Sequence, residues 1–434
     1  MPVQSGQKTS EWISKGVKLF ELGRYEEAMG YYNKEINANP ASAVAWSGRG
    51  LALIKLGMYS EALESLDQSL KIHSDSTEVW YHRGIALGRL KRHDEAAESY
   101  SRALGLNPKL IPAWVGKGLE LHDLNRLNEA LICYDRAIEV DSRNAEAWFN
   151  KGLALHELGR FEQEMECYNQ VIRIDSGHAA AWNHKGLALL ALGDVEEAIR
   201  CYDKATKIDR KDAEAWHNKG LALAKRGMLG EALECYDEVV RLNPRLLSAW
   251  NDRGLVLYRL GRFDDAVACY DEALRINPKH DWAWNSRGVA LYNLGRFEEA
   301  VRCYDRAIEV DSRNAEAWFN KGLALHELRR FEQEIECYNQ AIRIDPEHFE
   351  AFNNKGTALY ELGRFEQAIE CYDQVTRLRP KFPSAWFRTG EALSKMGVLR
   401  KAIECYDRTL ELDPTFVAAK EHRRIAENRL SENQ

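Results

Sequence analysis

Apolar residues recur along this chain at helical spacing, in pairs of segments separated by a short polar stretch. Within residues 179–212, Trp182, Gly186 and Leu189 follow one another at spacings of four and three, which places them on one face of a helix. The same spacing resumes after Gly193, where a left-handed backbone conformation is expected to end the first helix. No segment alternates apolar and polar residues in the manner of a strand. The pattern therefore predicts an all-α chain built of helical hairpins.

The hairpin pattern repeats every 34 residues. Eleven of the 12 tryptophans mark this period, and Phe352 occupies the remaining slot. A fixed period in this range is typical of a repeat array. With Trp at position 4, twelve repeats cover residues 9–416, after a leader at 1–8 and before a C-terminal solvating helix and tail at 417–434. The tryptophans, which we expect to be core anchors, are Trp12, Trp46, Trp80, Trp114, Trp148, Trp182, Trp216, Trp250, Trp284, Trp318 and Trp386.

Within each repeat, Trp at position 4, Gly at position 8, Ala at position 20, an aromatic residue at position 24 and Ala at position 27 recur, often with Pro at position 32. This pattern resembles the tetratricopeptide repeat, in the long arrays of prokaryotic type. The resemblance implies an α-solenoid of helix-turn-helix units, a right-handed superhelix whose first helices line a concave groove that binds protein segments. We expect the glycine of position 8 to face the alanine of position 20, as Gly186 would face Ala198.

The composition fits a chain with ample apolar surface to bury. Hydrophobic residues make up 45%, charged residues 29%, and the mean hydropathy is -0.50. No stretch approaches the roughly 18 consecutive apolar residues of a membrane helix, and the N-terminal residues lack the charged start and apolar block of a secretory signal. We therefore expect a cytoplasmic protein. The net charge of -7 argues against a broad nucleic-acid surface.

The cysteines all occupy position 23, one in each repeat from the fourth to the twelfth. Equivalent positions on stacked repeats lie about 8–10 Å apart, beyond the roughly 7 Å Cα separation that a disulfide spans and too far apart to share a zinc ion. We therefore predict reduced thiols in the core. The nine residues are Cys133, Cys167, Cys201, Cys235, Cys269, Cys303, Cys337, Cys371 and Cys405.

No catalytic or cofactor motif is complete in this sequence. His156 and His326 begin the segments HELGR and HELRR, but a zinc protease needs a second histidine where Arg160 and Arg330 stand. The GKG of residues 116–118 lacks the other residues of a phosphate-binding loop. We therefore expect no enzyme activity, no cofactor and no metal.

Two charged rows of opposite sign run through the repeats. We expect each base of position 7 to pair with an acid of the same or the next repeat while its stem covers apolar surface. Where position 25 is Asn169 or Asn339, position 20 has become Glu164 or Glu334, as though the carboxylate had moved. Alternatively, the basic row follows a phosphate backbone. The bases are Lys15, Arg49, Arg83, Lys117, Lys151, Lys185, Lys219, Arg253, Arg287, Lys321 and Lys355, and the acids are Asp67, Asp135, Asp203, Asp237, Asp271, Asp305, Asp373 and Asp407.

Positions 2, 5, 9 and 12 form a second stripe on each first helix, the face that lines the groove in the family. Position 9 is apolar in ten repeats, so this row is either buried against the neighbouring repeat or part of an apolar groove for an amphipathic helix or an extended segment. Position 5 has no Lys, so the carboxylate clamp of the family's chaperone adaptors is not expected. The candidate groove residues are Phe149, Leu153, His156, Asn183, Leu187, His217, Leu221, Asn251, Leu255, Tyr258, Asn285, Tyr292, Phe319, Leu323, His326 and Tyr360.

These features favour a non-catalytic scaffold or adaptor that binds a protein segment in the groove. A second hypothesis is a structural or assembly element that self-associates, for which Tyr31, Tyr32 and Glu35 of the first repeat provide an atypical end. A third is nucleic-acid binding through the basic row of position 7. Glutamate at Leu187 and Leu221 distinguishes groove from core, since groove residues would lose a ligand without loss of stability.

Overall fold

The computed structural model describes residues 11–432, and within that range the chain consists of helices and short turns, without a strand. The helices group into two compact units, Met1–Ala222 and Leu223–Gln434. The predicted leader at 1–8 lies outside the described residues. The first unit contains α1 (Glu11–Glu21), α2 (Tyr25–Ala38), α3 (Ala43–Lys55), α4 (Tyr59–Ile72), α5 (Thr77–Arg89), α6 (His93–Leu106), α7 (Ile111–Asp123), α8 (Leu127–Val140), α9 (Ala145–Glu157), α10 (Phe161–Ile174), α11 (Ala179–Ala191), α12 (Val195–Ile208) and most of α13 (Ala213–Arg226).

The second unit begins within α13 and is built in the same way. It contains α14 (Leu229–Leu242), α15 (Leu247–Arg259), α16 (Phe263–Ile276), α17 (Asp281–Asn293), α18 (Phe297–Val310), α19 (Ala315–Glu327), α20 (Phe331–Ile344), α21 (Phe349–Glu361), α22 (Phe365–Leu378), α23 (Pro383–Lys395), α24 (Leu399–Leu412) and α25 (Val417–Glu432). Odd-numbered helices up to α23 are the first helices of the repeats, and even-numbered helices are the second helices. This confirms the predicted all-α array of helical hairpins.

The turn inside each hairpin depends on position 15. Gly193 has φ 86, in the left-handed region that the sequence predicts, and glycine adopts this conformation without a Cβ clash. Three repeats place Lys91, Asn125 and Arg329 there instead, with φ between 56 and 59. At the other end of the hairpin, Asn144 caps α9 by accepting a 2.7 Å hydrogen bond from the Ala147 amide, as expected for an N-cap.

The two helices of a hairpin pack closely because position 8 is glycine. A Cβ added to Gly186 would lie 2.6 Å from the ring of Tyr202, and similar short contacts with the tyrosine of position 24 occur at Gly16, Gly84, Gly118, Gly152, Gly254, Gly288, Gly322, Gly356 and Gly390. The expected approach of position 20 is seen at Gly50, where an added Cβ would lie 3.3 Å from the Ala62 carbonyl oxygen, while at Gly186 the nearest atoms belong to Tyr202. The ring of position 24 fills the space that the missing side chain leaves, while Ala198 is fully buried on the same helix.

The tryptophans of position 4 link the core to the preceding loop. Their rings are half-buried rather than central, and Trp12 is exposed. Their indole nitrogens donate to the carbonyl six residues earlier, as Trp148 does to Ser142 at 3.0 Å and Trp318 to Ser312 at 3.1 Å. These tryptophans therefore hold the loop between repeats through a hydrogen bond, in addition to packing against the core.

The remaining predictions about the core agree with the structure. The nine cysteines are free thiols, and all except the half-buried Cys405 are buried. After the twelfth repeat, α25 packs on α24, burying Ala419 and Ala426. A helix therefore follows the last repeat, and its role as a solvating helix stays a prediction.

Candidate functional site

The first helices form one face in each unit. Successive first helices contact one another directly, as α5 does α7 in the first unit and α17 does α19 in the second. We call this surface, made of positions 2, 5, 9 and 12, the first-helix face. It is the surface that the sequence analysis assigns to a groove.

Position 9 forms an apolar row that stays accessible on this face. None of its described side chains is buried, and Val17, Leu119, Leu221 and Leu255 are 37–43% exposed. Leu187 contacts the core along one side. The row is therefore not fully buried, and whether it lines a groove or serves as contact between repeats stays a prediction.

The candidate residues differ in how far they reach the surface. His156, Leu221 and Leu255 are exposed; Phe149, Leu153, Leu187, His217, Tyr258, Tyr292, Phe319, Leu323, His326 and Tyr360 are half-buried; Asn183, Asn251 and Asn285 are buried. The prediction that the three asparagines line a groove is therefore wrong.

Two of the buried asparagines of position 5, Asn183 and Asn285, connect neighbouring repeats instead, whereas the Asn251 Oδ1 is buried without a hydrogen-bond partner among the described residues. The Asn183 side-chain carbonyl accepts a 3.1 Å hydrogen bond from Asn218, and Asn285 does the same with Asn320. Because a buried amide without a partner is costly, these pairs explain why polar residues are tolerated there. They set the contact between repeats, and they do not face a ligand.

The aromatic residues of position 12 each contact the first residue of the following second helix. Tyr258 meets Phe263 with ring centroids 5.4 Å apart, and Tyr292 meets Phe297 at 5.3 Å. Beyond these rings lies a polar edge, where Asn293 donates to the Tyr258 hydroxyl at 3.2 Å. The apolar row of position 9 therefore lies beside a partly polar edge.

The two histidines of the HEL segments each face a buried carboxylate. His156 Nδ1 lies 3.1 Å from both oxygens of Glu164, and His326 Nδ1 lies 3.1 Å from Glu334 Oε1. The side chains of the two glutamates are 0% and 1% exposed. Burial raises the pKa of Glu164 and of Glu334 to about 7, against the opposing effect of the histidines.

The idea that these glutamates replace the acid of the charged row is therefore wrong. Position 20 faces the histidine of its own repeat, whereas position 25 faces the following repeat. The sequence could have suggested the pairing, because both Glu164 and Glu334 occur in repeats with His at position 12.

The two charged rows do pair, and the partners belong to adjacent repeats. The base of one repeat contacts the acid of the preceding repeat, as in Lys151 to Asp135 at 2.6 Å and Lys321 to Asp305 at 2.6 Å. The expectation of a partner in the same or the next repeat therefore had the direction wrong. Many of these bases also lie over the tryptophan of their own helix, as Lys151 does at 5.3 Å from the Trp148 ring.

A small cavity opens on the first-helix face of the second unit. It has a volume of about 110 Å³ and is lined by Leu323, His326, Glu334, Tyr338, Asn354 and Thr357. It therefore joins the apolar row to one of the buried glutamates.

The repeats match models of known protein families. Models described as tetratricopeptide repeat match residues 47–111 and 285–348, 211–279 and 245–313, 145–178 and 383–416, and 337–370. A further model described as TPR repeat matches residues 118–159, 186–227 and 356–397. The chain is a tetratricopeptide repeat protein.

Comparison with solved structures returns several chains that are similar to this one over part or most of its length. The structure of YrrB, a TPR protein with an unusual peptide-binding site, is 25% identical and covers 43% of this chain and 96% of its own, with a TM-score of 0.38. Cut9–Hcn1, an APC/C hetero-tetramer, is 14% identical over 95% of both chains, with a TM-score of 0.44. MamA is 24% identical over 40% of this chain and 94% of its own, with a TM-score of 0.38.

A search of curated proteins finds no match for this tetratricopeptide repeat chain. Within residues 11–432, no helix has both the length and the apolar character that crossing a membrane requires.

Proposed function

We propose that this tetratricopeptide repeat protein is a non-catalytic scaffold whose first-helix face binds an amphipathic protein segment. The observation that carries the proposal is the accessible apolar row of position 9. A row of aliphatic side chains that is half-buried to exposed along its whole length is more typical of an interaction surface than of an inert one.

The charge on the same face indicates the chemistry of the partner. Position 2 carries the exposed carboxylates Glu78, Glu146, Glu214, Glu316 and Glu350, which lie at the edge of the apolar row. Opposite charges across an interface favour encounter and select the partner. The segment that fits combines apolar residues, spaced to meet the row, with lysine or arginine residues for the rim.

In the second unit, the cavity beside Leu323 is suited to one side chain of such a segment. Its walls are apolar at Leu323 and polar at Asn354 and Thr357. A bound side chain there would be enclosed on several sides, and enclosed anchors contribute a large share of binding energy.

The experiment selects ligands from a displayed library of short random peptides against the full chain and measures the affinities of the selected peptides by fluorescence anisotropy. Leu221→Glu in the first unit and Leu255→Glu in the second are expected to weaken binding at least tenfold, a loss of about 1.4 kcal/mol. Both side chains are exposed, so the melting curve should not change.

Ile132→Glu is the matched control, because Ile132 is 59% exposed and lies on the second helix α8. Peptides that bind Leu221→Glu and Leu255→Glu as well as they bind the unchanged chain would contradict the proposal. Weaker binding in 0.5 M salt would support the role of the acidic rim, since screening reduces surface electrostatics.

The two rival functions receive less support. The basic row of position 7 is largely engaged with carboxylates, as in Arg253 with Asp237 at 2.7 Å, so it offers few free charges to a phosphate backbone. Tyr32 and Glu35 of the first repeat are buried, which leaves Tyr31 as the half-exposed member of the proposed self-association patch. Light scattering on the purified chain tests self-association directly.

We also propose a cytoplasmic location. Nine free thiols, eight of them buried, are compatible with a reducing compartment, where structural cysteines remain unpaired.

A further inference from the structure

In a repeat protein, the repeats themselves supply the pattern against which an unusual residue stands out. Position 10 is Ala in nine of the twelve repeats, but it is Glu120 in the fourth. Position 17 is aromatic or aliphatic in eleven repeats, but it is His93 in the third. Position 12 is Gly only at Gly88. Gly88 and His93 lie close together in the sequence, Glu120 lies in the next repeat, and the three belong to no ligand motif.

The fold brings the three departures to one place in the first unit. His93 Nδ1 lies 2.7 Å from Glu120 Oε2, across two neighbouring repeats. A Cβ at position 88 would collide with the other oxygen of Glu120, so Gly88 makes room for this carboxylate. The three unusual residues therefore lie next to one another, which indicates that they act together at this point of the array.

A second carboxylate completes the cluster. Asp123 lies one helical turn after Glu120 on α7, and its Oδ2 lies 3.7 Å from His93 Nδ1. One ligand atom from each of the three side chains lies within 4.8 Å of the others, and within residues 11–432 this is the one group of three with that property. Glu120 is buried, whereas Asp123 is exposed and leaves a path from solvent.

The charge around the cluster is suited to a cation. The Glu120 and Asp123 carboxylates both lie beside the His93 ring, at 2.7 Å and 3.7 Å from its Nδ1. Two carboxylates therefore converge on one imidazole, one of them buried and one exposed. A bound cation would compensate the buried carboxylate, as opposite charge does in proteins generally.

We propose that His93, Glu120 and Asp123 bind a divalent first-row transition-metal ion, with Zn²⁺ as the first candidate. One imidazole nitrogen and two carboxylate oxygens are ligands that Zn²⁺ accepts, and three protein ligands leave a position open for water or for a side chain of a partner. The ion would tie α6 of the third repeat to α7 of the fourth.

The competing explanation is a simple hydrogen bond that satisfies a buried glutamate. The chain contains this arrangement twice, in His156 with Glu164 and in His326 with Glu334. In the described part of the chain neither pair has a third ligand within reach. These pairs are therefore internal controls for a metal site.

The experiment titrates the full chain, freed of metal with a chelator, with Co²⁺ and with Zn²⁺. Co²⁺ is followed by its visible absorption and Zn²⁺ by competition with a chromophoric chelator. We expect one equivalent of each to bind. Zn²⁺ should also raise the melting temperature, because a ligand that binds only the folded state stabilises it.

Glu120→Ala and His93→Phe restore residues that other repeats use at these positions, so both variants should fold. We expect each to weaken Zn²⁺ binding more than about 100-fold, since even residues that only orient a metal ligand change affinity roughly 10–100-fold. Both should abolish the rise in melting temperature. Glu164→Ala, which likewise restores the usual residue of position 20, is expected to bind Zn²⁺ as the unchanged chain does.

Three results would overturn the proposal. The chain does not bind Co²⁺ or Zn²⁺; or Glu120→Ala and His93→Phe bind them unchanged; or Co²⁺ shows the intense near-ultraviolet absorption of thiolate ligands, which would place the ion on the cysteines. The readout does not depend on the proposed peptide ligand, so a failure here leaves the proposed scaffold function unaffected.

Discussion

Repeats 5 and 10, residues 145–178 and 315–348, are nearly the same sequence in two different units of the molecule. They differ only at the pairs Gly159 and Arg329, Met165 and Ile335, Val171 and Ala341, Ser176 and Pro346, and Gly177 and Glu347. Their internal contacts match closely. The histidine of position 12 lies 3.1 Å from a buried glutamate in both copies, and the lysine of position 7 lies 2.6 Å from the aspartate of the preceding repeat in both.

The surfaces of the two repeats nevertheless differ, because different repeats follow them. After repeat 5, His184 stacks on Tyr168 with ring centroids 5.6 Å apart, and Leu187 occupies position 9. After repeat 10, the equivalent residues are Asn354 and Thr357, and a cavity of about 110 Å³ lies beside Leu323. The comparison teaches that the first-helix face of a repeat is completed by its neighbour, so nearly the same 34 residues can present two different surfaces.

The largest expected effect concerns the buried glutamates that both copies share. Burial raises the pKa of Glu164 and Glu334 to about 7 from an ordinary value of 4.5, so the folded chain binds an extra proton at each between these pH values. Stability should therefore fall as the pH rises through this window. We expect Glu164→Gln and Glu334→Gln each to remove up to about 3 kcal/mol of this loss, measured by urea unfolding at pH 4.5 and pH 8.

The exposed Glu162 and Glu332, at position 18 of the same helices, supply the control variants Glu162→Gln and Glu332→Gln. These should keep the pH dependence of the unchanged chain. If Glu164→Gln alone reduced the pH dependence of the free energy of unfolding, water in the cavity would be solvating the Glu334 carboxylate. The two copies would then differ in this property. Unchanged profiles for both variants would contradict the assignment.

The second prediction exchanges the residues that distinguish the two sites. Leu187→Thr introduces the residue of repeat 11 into repeat 6, and it should lower the free energy of unfolding by about 1–2 kcal/mol through lost apolar contact. The reverse change, Thr357→Leu, should raise it by less than about 1 kcal/mol, since the Tyr372 hydroxyl loses its 3.5 Å contact with Thr357. Urea unfolding measures both, and equal effects of the same sign would argue against a cavity specific to the second copy.

A smaller effect is expected where the copies differ in the turn. Arg329 has φ 56 where Gly159 has φ 68, and a side chain in this region costs about 1 kcal/mol relative to glycine. Arg329→Gly should therefore stabilise the chain by about 1 kcal/mol, and Gly159→Arg should destabilise it by a similar amount. Thermal unfolding of both variants tests this, and a destabilising Arg329→Gly would show that the arginine makes compensating contacts.

The smallest effect concerns the charged rows. Lys151→Ala and Lys321→Ala each remove an ion pair whose carboxylate is about half exposed, so each should cost less than about 1 kcal/mol. The two copies should respond equally in urea unfolding, and the loss should shrink in high salt. A variant of full stability that no longer binds a ligand would show instead that the row faces a partner.

Sequence reasoning was most reliable where one residue acts on its own backbone. The left-handed turn at Gly193 and the ends of the helices followed from residue type and spacing. Reasoning across helices was less complete, because the pattern indicated that position 20 approaches the glycine of position 8 but not that the Tyr202 ring lies nearest to Gly186. The pattern showed which positions are small or large, but not which of several large side chains fills a gap.

Reasoning across repeats was weaker still. The charged rows were expected to pair, but the direction of the pairing was wrong, and Asn183 and Asn285 proved to be buried rather than accessible. A period of 34 residues is the same for every way of stacking the repeats, so it does not reveal which faces meet. The His93, Glu120 and Asp123 cluster gave no local signal, although each of the first two breaks the pattern of its position.

The sequence by itself determined the helices, their turns, the repeat family and the reduced thiols, because these depend on periodicity and on the local conformational preferences of residues. Only the tertiary structure decided which side chains remain accessible on the first-helix face, which carboxylates are buried and which residues of adjacent repeats share a site. These features depend on the angle and offset between neighbouring repeats, and packing of side chains from two repeats sets that geometry.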